Sequence, residues 1–212
     1  KDTLKVGINV KNDLDKKYGE GNYVFVSIGT SPSGIGRVLE FMGVETKYLP
    51  ISGLSEYWEN DSYKDFSTSF PKYKDFLTEQ GLSKEKIEAS GKKYLFFDYT
   101  RTGRSLSVFE NIMKEYFGID SKNVSYRSFD YECYSSSAKH IDPEKYAIDY
   151  ISFYVSQEHI AEFGGVAHLP LWELDNIDQC KNFESENSKK FNFLIIDTLR
   201  RKNLLKNNFI SL

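Results

Sequence analysis

Cysteine is almost absent from this chain: Cys133 and Cys180 are the two present in 212 residues. That leaves no material for a disulfide framework or a cysteine-rich zinc site, and a reducing compartment is the default expectation. Histidine is nearly as scarce, and His140, His159 and His168 lack the close spacing of a zinc motif, so no metal-ligating set is expected. Long apolar runs are missing too. None approaches the roughly 20 residues needed to span a bilayer, and no membrane partner is expected. Basic charge is not in excess either. A net charge of -3 and a pI near 5.7 argue against a general nucleic-acid binder, which needs clustered cations to neutralise phosphates. Local binding of a single nucleotide stays open. No signal or transit peptide is visible, which points to the cytoplasm, although a start at Lys1 without methionine leaves the native N-terminus open.

What the chain does have is length for one large domain with a substantial core, a second full domain being cramped. Tyr23 to Ile28 is almost continuously apolar or β-favouring and reads as a strand covered on both faces, as in a parallel sheet. After Gly29 comes a loop of small residues, Thr30-Ser31-Pro32-Ser33-Gly34, and then Ile35, Val38, Leu39 and Met42 at helical spacing, with Gly43 as a stop. Glu45 to Ile51 reads as the next strand. This completes a βαβ unit whose first loop belongs at the carboxyl edge of the sheet, where ligands bind.

Residues 52–92 are aromatic and charged, with short helical stretches around 57–63, 73–80 and 83–89, and read as an insertion or hood. A second strand, loop and helix follows: Tyr94 to Phe97 is the strand, Thr102-Gly103-Arg104-Ser105 the turn, and Leu106, Phe109, Met113 and Phe117 one helical face ending at Gly118. Glycine permits a tight or left-handed backbone there, and the amides that open the helix face any phosphate placed against them. A further strand is expected from Val124 to about Phe129. Asp142-Pro143-Glu144 has the form of a helix start, with the helix running to about Phe163. Gly164 and Gly165 stop it, an irregular segment carries Trp172, and Asn192 to Asp197 reads as a buried strand before a basic terminal helix. The tract Glu184 to Lys190 reads as a solvated loop. The simplest account is one α/β domain over residues 1–212: a largely parallel twisted sheet flanked by helices, with the hood and a C-terminal extension from residue 140.

The segment Phe97-Asp98-Tyr99-Thr100-Arg101-Thr102-Gly103-Arg104-Ser105 resembles the signature of type I phosphoribosyltransferases. That signature is a hydrophobic strand, two acidic residues, a variable pair or triplet, then Thr-Gly, a variable residue and Thr or Ser. The resemblance covers about half the chain, Tyr23 to Phe129. It implies that Arg101, Thr102, Gly103, Arg104 and Ser105 surround the 5-phosphate of phosphoribosyl pyrophosphate and that Asp98 faces the ribose. Thr30, Ser31, Pro32, Ser33 and Gly34 stand where the family places its pyrophosphate loop, with Arg37 or Arg104 as added cationic help. The implied chemistry is displacement of pyrophosphate from the anomeric carbon, with magnesium sharing the departing charge. The implied partner is a small phosphoribosyl substrate or nucleotide, and many sheet proteins of this type pair as homodimers.

The sequence departs from the family pattern at two places. Phe97 takes the position where the first acidic residue is common. Arg101 stands where purine-specific members carry an aspartate that handles the base proton, and a guanidinium cannot act as a base at physiological pH. Purine salvage is therefore disfavoured, and a regulatory protein that keeps the fold and binds nucleotide without turnover is the competing expectation. A third reading takes Asp98-Tyr-Thr-Arg-Thr102 as the nucleophile motif of haloacid-dehalogenase-like phosphatases, in which Asp98 attacks phosphorus. Against it, that motif normally opens its domain, whereas here a whole βαβ unit precedes it. Plainer roles stay open as well: Gly103 as a helix start, Ser31 to Ser33 as an ordinary N-cap loop, Trp58 and Trp172 as packing residues.

Overall fold

The computed structural model describes residues 2–29, 32–57, 62–99, 103–129 and 186–206, together with Leu174, Ile177 and Asp178. Four strands form one all-parallel sheet: β1 (Tyr23–Ile28), β2 (Thr46–Leu49), β3 (Lys93–Asp98) and β4 (Val124–Ser128), in the spatial order β2-β1-β3-β4. The register sets Phe25 beside Thr46 and Leu95, and Phe97 beside Arg127. β1 is buried at all six positions, as its unbroken apolar run implies for a central strand with helices on both sides.

Strand alternation divides the core into two layers. Val24, Val26, Ile28, Tyr94 and Phe96 point to one face, which is covered by α5 (Arg104–Glu115) and by the crossover from β2 to β3. That crossover is the segment read as a hood. It holds two 3-10 turns (Leu54–Tyr57 and Ser62–Ser69), α3 (Phe70–Glu79) and α4 (Lys84–Ser90), and it places Tyr63, Phe70, Tyr73, Phe76, Leu77 and Ile87 in the same core as Phe109 and Met113. Tyr23, Phe25, Leu95 and Phe97 point to the other face, beneath α1 (Asp2–Tyr18) and α2 (Ser33–Phe41).

Two elements differ from expectation. The first 22 residues suggested no element, yet Val6, Val10 and Leu14, one per turn, seat a 17-residue α1 on the sheet. More consequentially, Asn192 to Asp197 is not a strand. It lies inside α6 (Glu186–Arg201), which also takes in the end of the tract read as a solvated loop. The apolar run Phe193 to Ile196 is ambiguous between the two states, and the outer surface of α2 resolves it. Ile195 and Leu199, spaced one helical turn apart, bury against Val38, Phe41 and Met42. The expected helix over Asp142 to Phe163, the Gly164-Gly165 stop, both tryptophans, all three histidines and both cysteines lie outside the described residues.

Candidate functional site

Because β2 lies on one side of β1 and β3 on the other, the chain leaves β1 in one direction and returns past it in the opposite one. Such a reversal opens a crevice at the carboxyl ends of the two strands, and open α/β sheets bind ligands there. Both loops singled out in the sequence start at this point, one from β1 and the other from β3.

The β1 loop departs through Gly29, whose φ of +68° is left-handed and whose N–H donates to the Leu49 carbonyl at 2.7 Å. A Cβ at that position would come within 2.8 Å of the Ile51 carbonyl oxygen, so only glycine lets β1 turn off this close to the end of β2. Of the expected pyrophosphate residues, Pro32, Ser33 and Gly34 are described and all three are buried. Pro32 is the N-cap of α2 and Ser33 and Gly34 open the helix, with no side-chain capping bond and no acidic residue in the first turn. Thr30 and Ser31 lie outside the described residues. Gly34 also meets the start of α1 and of α6, since the space beside its Cα is bounded by Thr3 Cγ2 at 3.5 Å and Phe191 at 3.6 Å.

The β3 loop begins at Asp98. Its carboxylate accepts one hydrogen bond, from the Tyr99 N–H to Oδ1 at 2.7 Å. Burial pushes the carboxyl up to about 6, against a smaller downward pull from that amide. Asp98 pairs in register with Ser128, and its carbonyl accepts from the Phe129 N–H at 3.1 Å. Gly103 is the N-cap of α5 at a left-handed φ of 74°, again with no side-chain cap and no acid in the first turn. Arg104 and Ser105 form the first helical positions, while Arg101 and Thr102 lie outside the described residues. Two helix N-termini with no acidic residue in the first turn thus follow neighbouring strand ends, each with the partial positive charge of a helix start.

Residue 97 is explained by the packing. Phe97 is fully buried between Phe25 and Phe129, with ring centroids at 4.6 and 4.8 Å and interplanar angles of 17° and 15°. A carboxylate here would enter the apolar layer beneath α2 and α1. Arg37 has its Nη1 2.9 Å from Glu40 Oε2 and its guanidinium 4.6 Å over the Tyr48 ring. The Tyr48 hydroxyl donates to the same carboxylate at 2.9 Å, and burial drives its pKa well upward.

Sequence reasoning missed Ser27 and Ser128, buried polar residues near the carboxyl ends of β1 and β4, and Phe191 beside the start of α2. A serine at or next to the carboxyl end of a β-favouring run is a readable signal. Nothing in the sequence pointed to Phe191. Among the described residues no three of His, Cys, Asp and Glu converge as a metal site. Two concave sites formed by described residues, about 180 Å³ between α5 and β4 and about 80 Å³ near Lys11, Asp15 and Tyr23, lie away from the crevice. Comparison with protein-family models, with curated proteins and with solved structures finds no match to this chain.

Proposed function

We propose that the crevice between β1 and β3 binds phosphoribosyl pyrophosphate or a nucleoside 5'-monophosphate and that the protein transfers the phosphoribosyl group with release of pyrophosphate. One observation carries this reading. The carboxyl ends of β1 and β3 are neighbours at the strand-order reversal, and each is followed within a few residues by a helix with no acidic residue in its first turn. A ligand with phosphates at both ends of one ribose suits two anion cradles on adjacent strands. The β3 turn, Arg101 to Ser105, takes the 5-phosphate, and the β1 loop, Thr30 to Gly34, takes the pyrophosphate. Asp98, at the strand end between them, faces the ribose hydroxyls and accepts from them when ionised. Magnesium, when bound on the pyrophosphate oxygens, shares the charge that builds on the leaving group. Loop amides and helix dipoles supply the rest of that stabilisation without reorganising.

A second reading, nucleotide binding without turnover, is favoured by the burial of Phe97, which leaves Asp98 as the one carboxylate of the motif. Pyrophosphate release separates the two, since a binding protein is stabilised by the ligand yet never consumes it. The deciding measurement is a melting series with magnesium and phosphoribosyl pyrophosphate, with nucleoside monophosphates and with phosphate alone. A ligand at about 100 times its dissociation constant stabilises by about 2.7 kcal/mol. Gly103→Val, which forces a β-branched residue into the left-handed N-cap position, is expected to abolish that gain while the variant still melts cooperatively. An undiminished gain in the variant would sink the assignment of this loop. Hydrolysis of a simple phosphate ester that disappears in Asp98→Asn would instead favour a phosphatase.

A further inference from the structure

The outer face of α6 carries a surface that the crevice does not use. Burial of Ile195 and Leu199 against α2 fixes the rotational phase of the helix and leaves its opposite side in solvent. On that side Phe193 and Leu194 are 72% and 60% exposed, the most exposed large apolar side chains among the described residues. Exposed cations flank them: Lys190 lies one turn before, and Arg200, Arg201 and Lys202 follow. Between Lys189 and Lys202 the sequence holds five basic residues and a single carboxylate, Asp197, which pairs with Arg201 at 2.7 Å. This concentration of positive charge sits on a chain whose net charge is -3.

Charge and shape narrow the choice of partner. A second copy docking through the same face would bring the two basic sets together, which like-charge repulsion opposes. A helix that docks in a protein groove needs apolar anchors at i, i+3, i+4 and i+7. Here those positions are Lys190, Phe193, Leu194 and Asp197, so the two outer anchors are charged. A nucleic acid would use the cations and leave Leu194 in water. A convex ridge with two apolar side chains between cations matches a soft surface that is negative outside and apolar just beneath. We propose that the outer face of α6 docks on an anionic lipid bilayer, with Phe193 and Leu194 entering the interfacial layer and Lys190, Arg200 and Arg201 over the headgroups. No described helix is long and apolar enough to cross a membrane, and none is needed for this in-plane contact.

The test is co-sedimentation of the full chain with phosphatidylcholine vesicles and with vesicles of phosphatidylcholine and phosphatidylserine. Binding is expected to the mixed vesicles and not to phosphatidylcholine alone, and to weaken as salt is raised. Lys190→Ser and Arg200→Ser are each expected to weaken it about fivefold, the equivalent of about 1 kcal/mol per surface cation. Phe193→Ser combined with Leu194→Ser is expected to weaken it about tenfold through lost apolar burial. Both positions face solvent, so this variant is expected to melt as the parent chain does. No sedimentation with mixed vesicles, equal sedimentation with both compositions, or parental binding by the Phe193/Leu194 variant would overturn the proposal.

Discussion

The two ends of the sheet treat charge in opposite ways. At the amino end Lys11 lies 2.5 Å from Asp15 and 3.7 Å from Glu20, the Tyr23 hydroxyl donates to Asp15 at 2.8 Å, and Lys206 reaches Glu20 at 2.9 Å. Lys92 and Lys47 both approach Glu45, at 2.8 and 3.7 Å. The Lys206 contacts tie the chain after α6 both to the turn before β1, through Glu20, and to the end of α2, where its N–H donates to the Phe41 carbonyl at 3.2 Å. At the carboxyl end Asp98 has no ion pair among the described residues, and two helices begin without a side-chain cap. α4 shows the usual alternative within the same chain: Ser83 accepts from the Lys86 N–H, and Glu85 stands in its first turn. One end is closed by its own ion pairs, and at the other Asp98 stands without one among the described residues.

Breaking the comparison at its centre has the largest expected effect. Phe97→Asp places a carboxylate between Phe25 and Phe129. The expected cost is about 5 kcal/mol, from lost aromatic burial plus an unpaired buried charge. A denaturation midpoint close to that of the parent would mean that residue 97 can reach the crevice after all.

Asp98→Asn has the next effect, and its sign is opposite. The folded carboxyl is pushed up to about 6 from an ordinary value of 3.8, so the folded state holds this proton more tightly than the unfolded state. Stability is therefore lost as pH rises through the window between those two values, and none of the loss occurs below both. The variant is expected to be more stable than the parent above pH 6 by about 3 kcal/mol and equal to it near pH 3. Melting temperatures across that range check this, and a constant difference at every pH would contradict it.

At the amino end Lys11→Met keeps the buried stem and removes the cation. The expected loss is about 1 kcal/mol, because Asp15 keeps the Tyr23 hydroxyl and Glu20 keeps Lys206. Ligand-induced stabilisation should be unchanged in this variant; a loss of it would show that the two ends are coupled. The smallest effect belongs to α4. Ser83→Ala removes an exposed cap of 3.4 Å and should cost about 0.5 kcal/mol in chemical denaturation, with or without phosphate present.

Much of this organisation was legible where period and composition agreed. β1, β3 and β4 are short apolar or β-favouring runs bounded by turn residues, and α2 and α5 carry their apolar positions at helical spacing between a glycine-containing loop and a glycine stop. α1 went unnoticed because its inward stripe of Val6, Val10 and Leu14 is diluted by Lys and Asp on the remaining faces. α6 was misread because four consecutive apolar residues carry no period. Its state follows from which of them α2 buries, and that contact joins distant parts of the chain. Around the crevice, the placement of Asp98 at the end of β3 and of Gly103 before α5 was legible, since a glycine between an apolar run and a helical period marks the turn. That of Phe191 was not, because it reaches Gly34 only through the packing of α6 on α2.

Local pattern was enough to specify an α/β chain with two strand-loop-helix units of similar chemistry. Their adjacency came from the pairing of β1 with β3 across a long crossover, a non-local contact that no local period encodes. The same holds for residues 97 and 98. Alternation guarantees that neighbours on a strand point to opposite faces, but which face is sealed depends on the helices laid over it. α1 and α2 cover one side with apolar residues and close around Phe97, while Asp98 ends β3 at the mouth of the crevice.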